Sequence, residues 1–470
     1  MAKYEIKDGM GIIPEGTTEI EDYAFAECPN LTSVVIPSSV TKINKHVFEN
    51  CTGIVSIVVS EGNKVYDSRD NCNAIIETAS NKLIVGCQNT VVPDTVTKIG
   101  MFAFYRCVGL SNIDVPDSVT EIGCYAFDGC INLTSFVIPP KITILDANIF
   151  HGCTSLRSIV IPDSVTKINS GVFDGCSNLA SVEIPDTVTE IGYDVFAGCK
   201  SLTSVKIPDS VTVMGGSVFE YCTGLTDVVI SDLVNGILNR TFRGCTNLRS
   251  VTIGKVLKTI GYYAFAECAG LTSFVIPDLV SEISRSAFED CTGLKSVVIG
   301  KSVKVIESDA FCGCSSLTDV VLPDSLTRID TSAFRGCTSL TSIVIPDNVY
   351  EISYNAFMDC SSLTSLVIPK SVSLIESGAF EGCKSLKTVV IEGYGLPMGW
   401  GDKLKQLPFQ AFKNCSSLES ITLPGGIEYI SDEVFEGCSS LKEIIVPAKK
   451  RRLYEKLLPK ELHELIVEKK

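Results

Sequence analysis

The stretch Pro116–Ile138, PDSVTEIGCYAFDGCINLTSFVI, decides how this chain folds, because the same 23-residue phrase returns along almost its whole length. Its anchor, Phe127, is one of thirteen phenylalanines that fall at a constant step of 23 from Phe104 to Phe380. Phe25 and Phe48 carry the register backward and Phe412 and Phe435 carry it forward, which makes seventeen coils. A strict period of this size means one supersecondary unit stacked on itself, so the 470 residues are not to be divided into domains by length. The register slips twice. Phe48 and Phe104 stand one period plus 33 residues apart, and Phe380 and Phe412 one period plus nine.

Within the unit, Val119, Ile122, Ala126, Phe127, Cys130, Leu133, Phe136 and Ile138 are the apolar, inward positions. Leu133 to Ile138 alternates and is closed by Pro139, which predicts a short strand with Phe136 and Ile138 inward and Ser135 and Val137 outward. Parallel copies of that strand would form a continuous sheet on the concave side. Pro116-Asp117-Ser118 fits a type I turn that bends the chain off the sheet, and Val119 to Ile122 supplies a second short extended segment. Tyr125 to Cys130 is too short for a full helix and holds Gly129, so a single helical or 3₁₀ turn is expected on the convex side. One coil cannot stand alone. Eight buried side chains at roughly 1.5–3 kcal/mol each do not offset ~1–2 kcal/mol of backbone entropy for each of its residues. The expected fold class is therefore a β-rich repeat solenoid, a curved superhelix with a parallel concave sheet.

Composition removes several functions. Hydrophobic residues make up 45% and charged residues 20%, enough to bury a core. Net charge is -15 and the one dense basic run is Lys449 to Arg452, so no nucleic-acid partner is expected. No stretch reaches the ~20 apolar residues of a membrane span, which argues against membrane insertion, and Met1 to Gly16 lacks the apolar run of a signal peptide. Seventeen of the 21 cysteines sit three residues after an anchor phenylalanine. Stacked in parallel they would not reach the ~90° dihedral of a disulfide, and no CxxC pair points to a metal, so they read as small buried side chains and free thiols. Cys72, Cys87, Cys124 and Cys312 lie off the ladder and are the candidates for a reactive thiol. His46, His151 and His463 have no second ligand or nucleophile at a recognisable spacing. The recurring acids at Asp117, Asp163 and Asp186 read as solvated turn residues rather than a calcium ladder. No catalytic residue, metal site or cofactor is expected, and the chain is not read as an enzyme.

The organisation follows from the repeat: residues 1–16 as an amino-terminal cap, 17–60 as the first two coils, 61–93 as a hairpin-like insertion, 94–447 as the remaining fifteen coils with a loop insertion at 393–401, and 448–470 as a carboxy-terminal cap. Two features are candidate contact sites. The first is the insert GYGLPMGWG, where Tyr394, Met398 and the lone Trp400 fit an adaptable contact loop, or a shield over an exposed coil edge. The second is the outward strand position ten residues after each phenylalanine, filled by Val275, Val298, Val321, Val344, Val367 and Val390 in six successive coils. Asp114, Glu183, Lys206 and Thr252 break that column earlier in the chain. Beside it runs an outward column rich in serine, including Ser273, Ser296, Ser342 and Ser365. An exposed apolar strip of this kind marks a contact with a partner or with a second copy of the chain.

The pattern C-x-x-L-x-x-V-x-I-P-x-x-V-x-x-I, followed three residues later by Ala-Phe or Val-Phe and then Cys, as in Cys176 to Cys199, closely resembles the BspA-like class of leucine-rich repeats. The resemblance covers about Ile12 to Pro447. It implies a curved leucine-rich-repeat solenoid of bacterial surfaces, associated with adhesion to host proteins or cells, and hence a cell-surface or secreted setting. The unpaired thiols and missing leader favour an intracellular scaffold as the alternative. Either way the expected function is non-catalytic binding of a protein or glycan ligand.

Overall fold

The computed structural model describes residues 3–392 and 404–469. They form a parallel β-solenoid in two compact units, Met1–Val234 with Val251–Ile253, and Asn235–Ser250 with Gly254–Lys470. The coil that opened the reading shows how the sequence makes the shape. Val119 N–H donates to Pro116 O at 3.0 Å and closes the proline turn. Glu121–Ile122 then pairs in parallel with Lys98–Ile99 of the coil before, and Ser135–Val137 pairs with Ser158–Val160 of the coil after. Every partner is one period away, so each side chain lies on its own kind. The alternation holds: Phe136 and Ile138 are buried, while Ser135 and Val137 are exposed.

The strand face is less continuous than the sequence suggests. Its bonds group into short parallel ladders, such as Ser135–Val137, Ser158–Val160 and Ser181–Glu183, or Ser273–Val275, Ser296–Val298 and Asp319–Val321. No strand forms at 341–345, yet the in-out alternation persists there, with Ile343 and Ile345 buried and Val344 exposed.

On the opposite side the single expected turn is built by two kinds of bond. Ala126, Asp128 and Cys130 N–H groups donate three residues back along the chain, whereas those of Tyr125, Phe127 and Gly129 donate to Ala147, Ile149 and His151 carbonyls of the next coil at 2.7–3.0 Å. Turning alternate N–H groups outward requires left-handed residues two before and two after the phenylalanine, here Tyr125 at φ 58° and Gly129 at φ 70°. Glycine meets that need without a Cβ penalty, which is why it recurs at Gly152, Gly175 and Gly198.

The core is a ladder of rings and thiols. In the first unit Phe104, Phe127, Phe150, Phe173, Phe196 and Phe219 stack at 5.0–5.8 Å with planes within 12°. In the second, the run from Phe242 to Phe412 stacks at 5.1–5.5 Å. All 21 cysteines are free. The ladder cysteines do more than fill space: Cys130 Sγ–H donates to Phe104 O at 3.1 Å and Cys153 to Phe127 O at 3.2 Å, each reaching 26 residues back. Burial pushes the Cys222, Cys291 and Cys383 thiols up to about 12. Of the four cysteines off the ladder, Cys72 and Cys87 are fully buried, and desolvation lifts Cys72 and Cys312 to about 11, which counts against those three as reactive thiols, while Cys124 is half-buried.

The ends are closed differently. Glu5–Lys7 and Met10–Ile12 form an antiparallel hairpin that adds to Ser33–Ile36 of the first coil. At the other end Arg451–Leu457 is helical and Ile466–Glu468 pairs in parallel with Glu443–Val446. The helix is anchored by Tyr454, fully buried with its hydroxyl donating to Pro424 O. Around it Leu453 and Leu457 are half-buried, while Leu458 is buried.

Candidate functional site

The six outward valines lie in one unit and are exposed by 38–81%. Pairing fixes the alignment of five of them: Val275 lies opposite Val298, Val298 opposite Val321, and Val367 opposite Val390. The residues on either side of each valine point inward, as with Val297 and Ile299, both buried beside exposed Val298. The face is therefore a consequence of strand period, not of a loose loop.

Its surroundings are small and polar. Ser273, Ser342, Ser365 and Thr388 are exposed in the neighbouring column, with Ser296 half-exposed and Asp319 interrupting the run. One residue further, threonine hydroxyls are tied down by the preceding coil, Thr318 Oγ1 to Lys295 O and Thr364 Oγ1 to Thr341 O, both at 3.2 Å. Those side chains are already ordered, so covering them loses little rotamer freedom. Beyond the strand ends the turn residues carry both charges, with Asp278, Lys301, Asp324, Asp347 and Lys370 exposed. The first unit also has outward valines, and Val137 and Val160 are as exposed as most of the six. They stand as a pair, with Glu183 next in register. Tyr394, Met398 and Trp400 lie outside the described residues.

The turn side holds a charged cluster around His151. His151 Nδ1 is 3.0 Å from Asp128 Oδ1, and Nε2 is 3.7 Å from Asp174 Oδ2. The hydrogen bond with Asp128 raises the imidazole above its ordinary value, with burial opposing. A histidine raised in the folded state stabilises fully below its unfolded value of about 6.5, and that stabilisation is lost as pH climbs through the folded value. The His151 resonances are expected to titrate above that unfolded value, and Asp128→Asn to bring the midpoint back down. An unchanged midpoint in the variant would show that the pair does not interact in solution. Among the described residues no three His, Cys, Asp or Glu side chains converge as metal ligands, and no helix is long and apolar enough to cross a membrane.

Comparison with known proteins bears on the repeat itself. The family model described as BspA type Leucine rich repeat region matches residues 11–85, 76–201, 166–295, 282–395 and 398–463. Among solved structures, a leucine-rich repeat protein from Bacteroides ovatus shares 28% identity over 79% of this chain and 82% of its own, with a TM-score of 0.42. One from Eubacterium ventriosum shares 23% over 80% and 91%, with a TM-score of 0.49. A leucine rich cell surface protein from Faecalibacterium prausnitzii shares 22% over 94% and 86%, at 0.32. None of the curated proteins matches the chain.

Proposed function

The chain belongs to the BspA-type leucine-rich-repeat family, and from that premise we propose that it is a non-catalytic module binding a protein ligand through the outward face of its strands, from Ser273 to Ile391. The observation that carries this is the unbroken row of six exposed valines in successive coils. Exposed apolar rows on a folded protein mark contact surfaces, and covering each valine contributes up to about 1.5 kcal/mol. A protein surface fits better than a glycan, because sugars pack on aromatic platforms and the described face between Ser273 and Ile391 presents valine, serine and threonine. Adhesion at a cell surface is the setting that the family implies. An intracellular scaffold is the second reading, favoured by the 21 free cysteines. Both use the same face.

A photoreactive amino acid at Val321, exposed on the strand face, tests this against one at Tyr354, also exposed but on the turn side. Cross-linking to the ligand is expected from position 321 and not from position 354. Equal yields at both would remove the face from the reading.

A further inference from the structure

The strand face of the second unit repeats at one interval. Paired parallel strands stand ~4.7–4.9 Å apart, and the outward valines follow that spacing through the ladders from Ser273–Val275 to Asp319–Val321 and from Ser365–Ile368 to Thr388–Ile391. The phenylalanines behind them, from Phe265 to Phe380, stack at 5.1–5.4 Å. Strand side and turn side therefore differ by about 0.5 Å per coil, and the face stays close to flat along the row.

An apolar partner keeps its contacts along such a row only if it repeats at the same interval. A helix returns to one side about every 5.4 Å and would drift by about 3 Å between Val275 and Val390. An extended strand returns about every 6.6 Å and would drift by about 9 Å. A second stack of parallel strands stays in step throughout. Charge points to the same partner. The chain carries a net charge of -15, so most of its surface repels a second copy. On this face Lys295 and Lys387 stand with Asp319 on one flank, all exposed. On the other, Lys301 and Lys370 stand with Asp278, Asp324, Asp347 and Glu392, also exposed. Four lysines against five acids leave the face at a net charge of -1.

We propose that the valine face binds the same face of a second copy of this chain, forming a weak two-fold dimer. This deepens the contact-surface reading and rests on it. A two-fold axis along the strand of Val321 reverses the order of coils in the second copy and leaves each column opposite its own kind. Val298 then meets Val344, Val275 meets Val367, and Asp278 and Lys301 face Lys370 and Asp347. Asp319 and Asp324 lie on the axial coil and meet their own copies, which weakens the contact. Valine, serine and threonine are small, so two such faces can close to the ~10 Å of packed sheets. Five coils, seven residues wide, offer roughly 500 Å² on each copy and about 1,000 Å² in all, the size of a reversible contact rather than a permanent one.

Sedimentation velocity of the full chain in reducing buffer, from about 1 µM to 1 mM, tests this. A monomer–dimer equilibrium is expected. Val344→Lys, at a position 81% exposed, sets a cation between Lys295 and Lys301 of the second copy and should weaken dimerisation by about tenfold or more, with the melting temperature unchanged. Asp324→Asn removes a repulsion at the axis and should tighten the dimer by about two- to fivefold. Val160→Lys, on the strand face of the first unit and at a position 76% exposed, should leave it as it is. A photoreactive amino acid at Val298, in a mixture of isotopically labelled and unlabelled chains, should cross-link to residues 341–347 of the other copy. The proposal is overturned by a monomer at every concentration, by dimers that Val344→Lys leaves intact or Asp324→Asn does not tighten, by an equal loss in Val160→Lys, or by cross-links outside that face. A chain that stays monomeric, while Val298→Lys with Val344→Lys still costs it a ligand, would sink the dimer and leave the contact-surface reading standing.

Discussion

Phe288→Ala is expected to cost about 3–5 kcal/mol of stability, the range for removing a fully buried ring. Phe288 stacks on Phe265 at 5.1 Å and Phe311 at 5.3 Å, with Phe274 packed at an angle 5.1 Å away. The void cannot collapse, because Phe265 N–H to Ala287 O and Phe288 N–H to Ala310 O, both 2.8 Å, hold the coils at fixed spacing. Each coil contacts only its neighbours, so the loss falls on one junction of a nearly one-dimensional stack. Urea denaturation should show a lowered midpoint, or a separate early transition for the coils beyond the break. A midpoint equal to that of the parent protein would mean that the rings do not carry the core.

The second large effect separates two adjacent residues. Val297 is 1% exposed and Val298 is 50% exposed, although both are valines in the same three-residue strand. Lysine at 297 would place an ammonium among apolar side chains with no partner, at a cost of several kcal/mol. Lysine at 298 keeps its charge in water and should change stability by less than about 0.5 kcal/mol. A register slipped by one residue would exchange the two results. Thermal unfolding of both variants decides it.

Most of the fold was legible because one pattern is repeated seventeen times, so each position declares its environment many times over. The alternation from Leu133 to Ile138 assigned both faces of the strand, and with them the exposure of the six valines. Contacts that depend on a neighbouring coil were not legible. Cys130 looks like a small apolar residue in sequence, and only the fold shows its thiol reaching a carbonyl 26 residues back. Gly129 reads as the end of a helical turn, yet Asn50, Arg106 and Asp290 take the same left-handed conformation at the same repeat position, because the inter-coil bonds set the backbone whatever the side chain. Cys72 and Cys87 look exceptional for being out of step, but the out-of-step segment is packed inside. Tyr454 escaped notice because helical spacing points to leucines, while a tyrosine can both fill the coil end and bond a carbonyl. The long step from Phe48 to Phe104 announces an insertion. That part of the inserted segment takes a strand position of the solenoid, with Leu83 opposite Ile99, appears only in the structure.

The use of the valine face as a contact surface is tested most directly by ligand binding of the double variant Val298→Lys with Val344→Lys, measured beside its melting temperature. Binding is expected to fall by about tenfold or more, since two charges would face an apolar partner surface, while the melting temperature stays with the parent protein. A variant that melts like the parent and binds the ligand with undiminished affinity would contradict it.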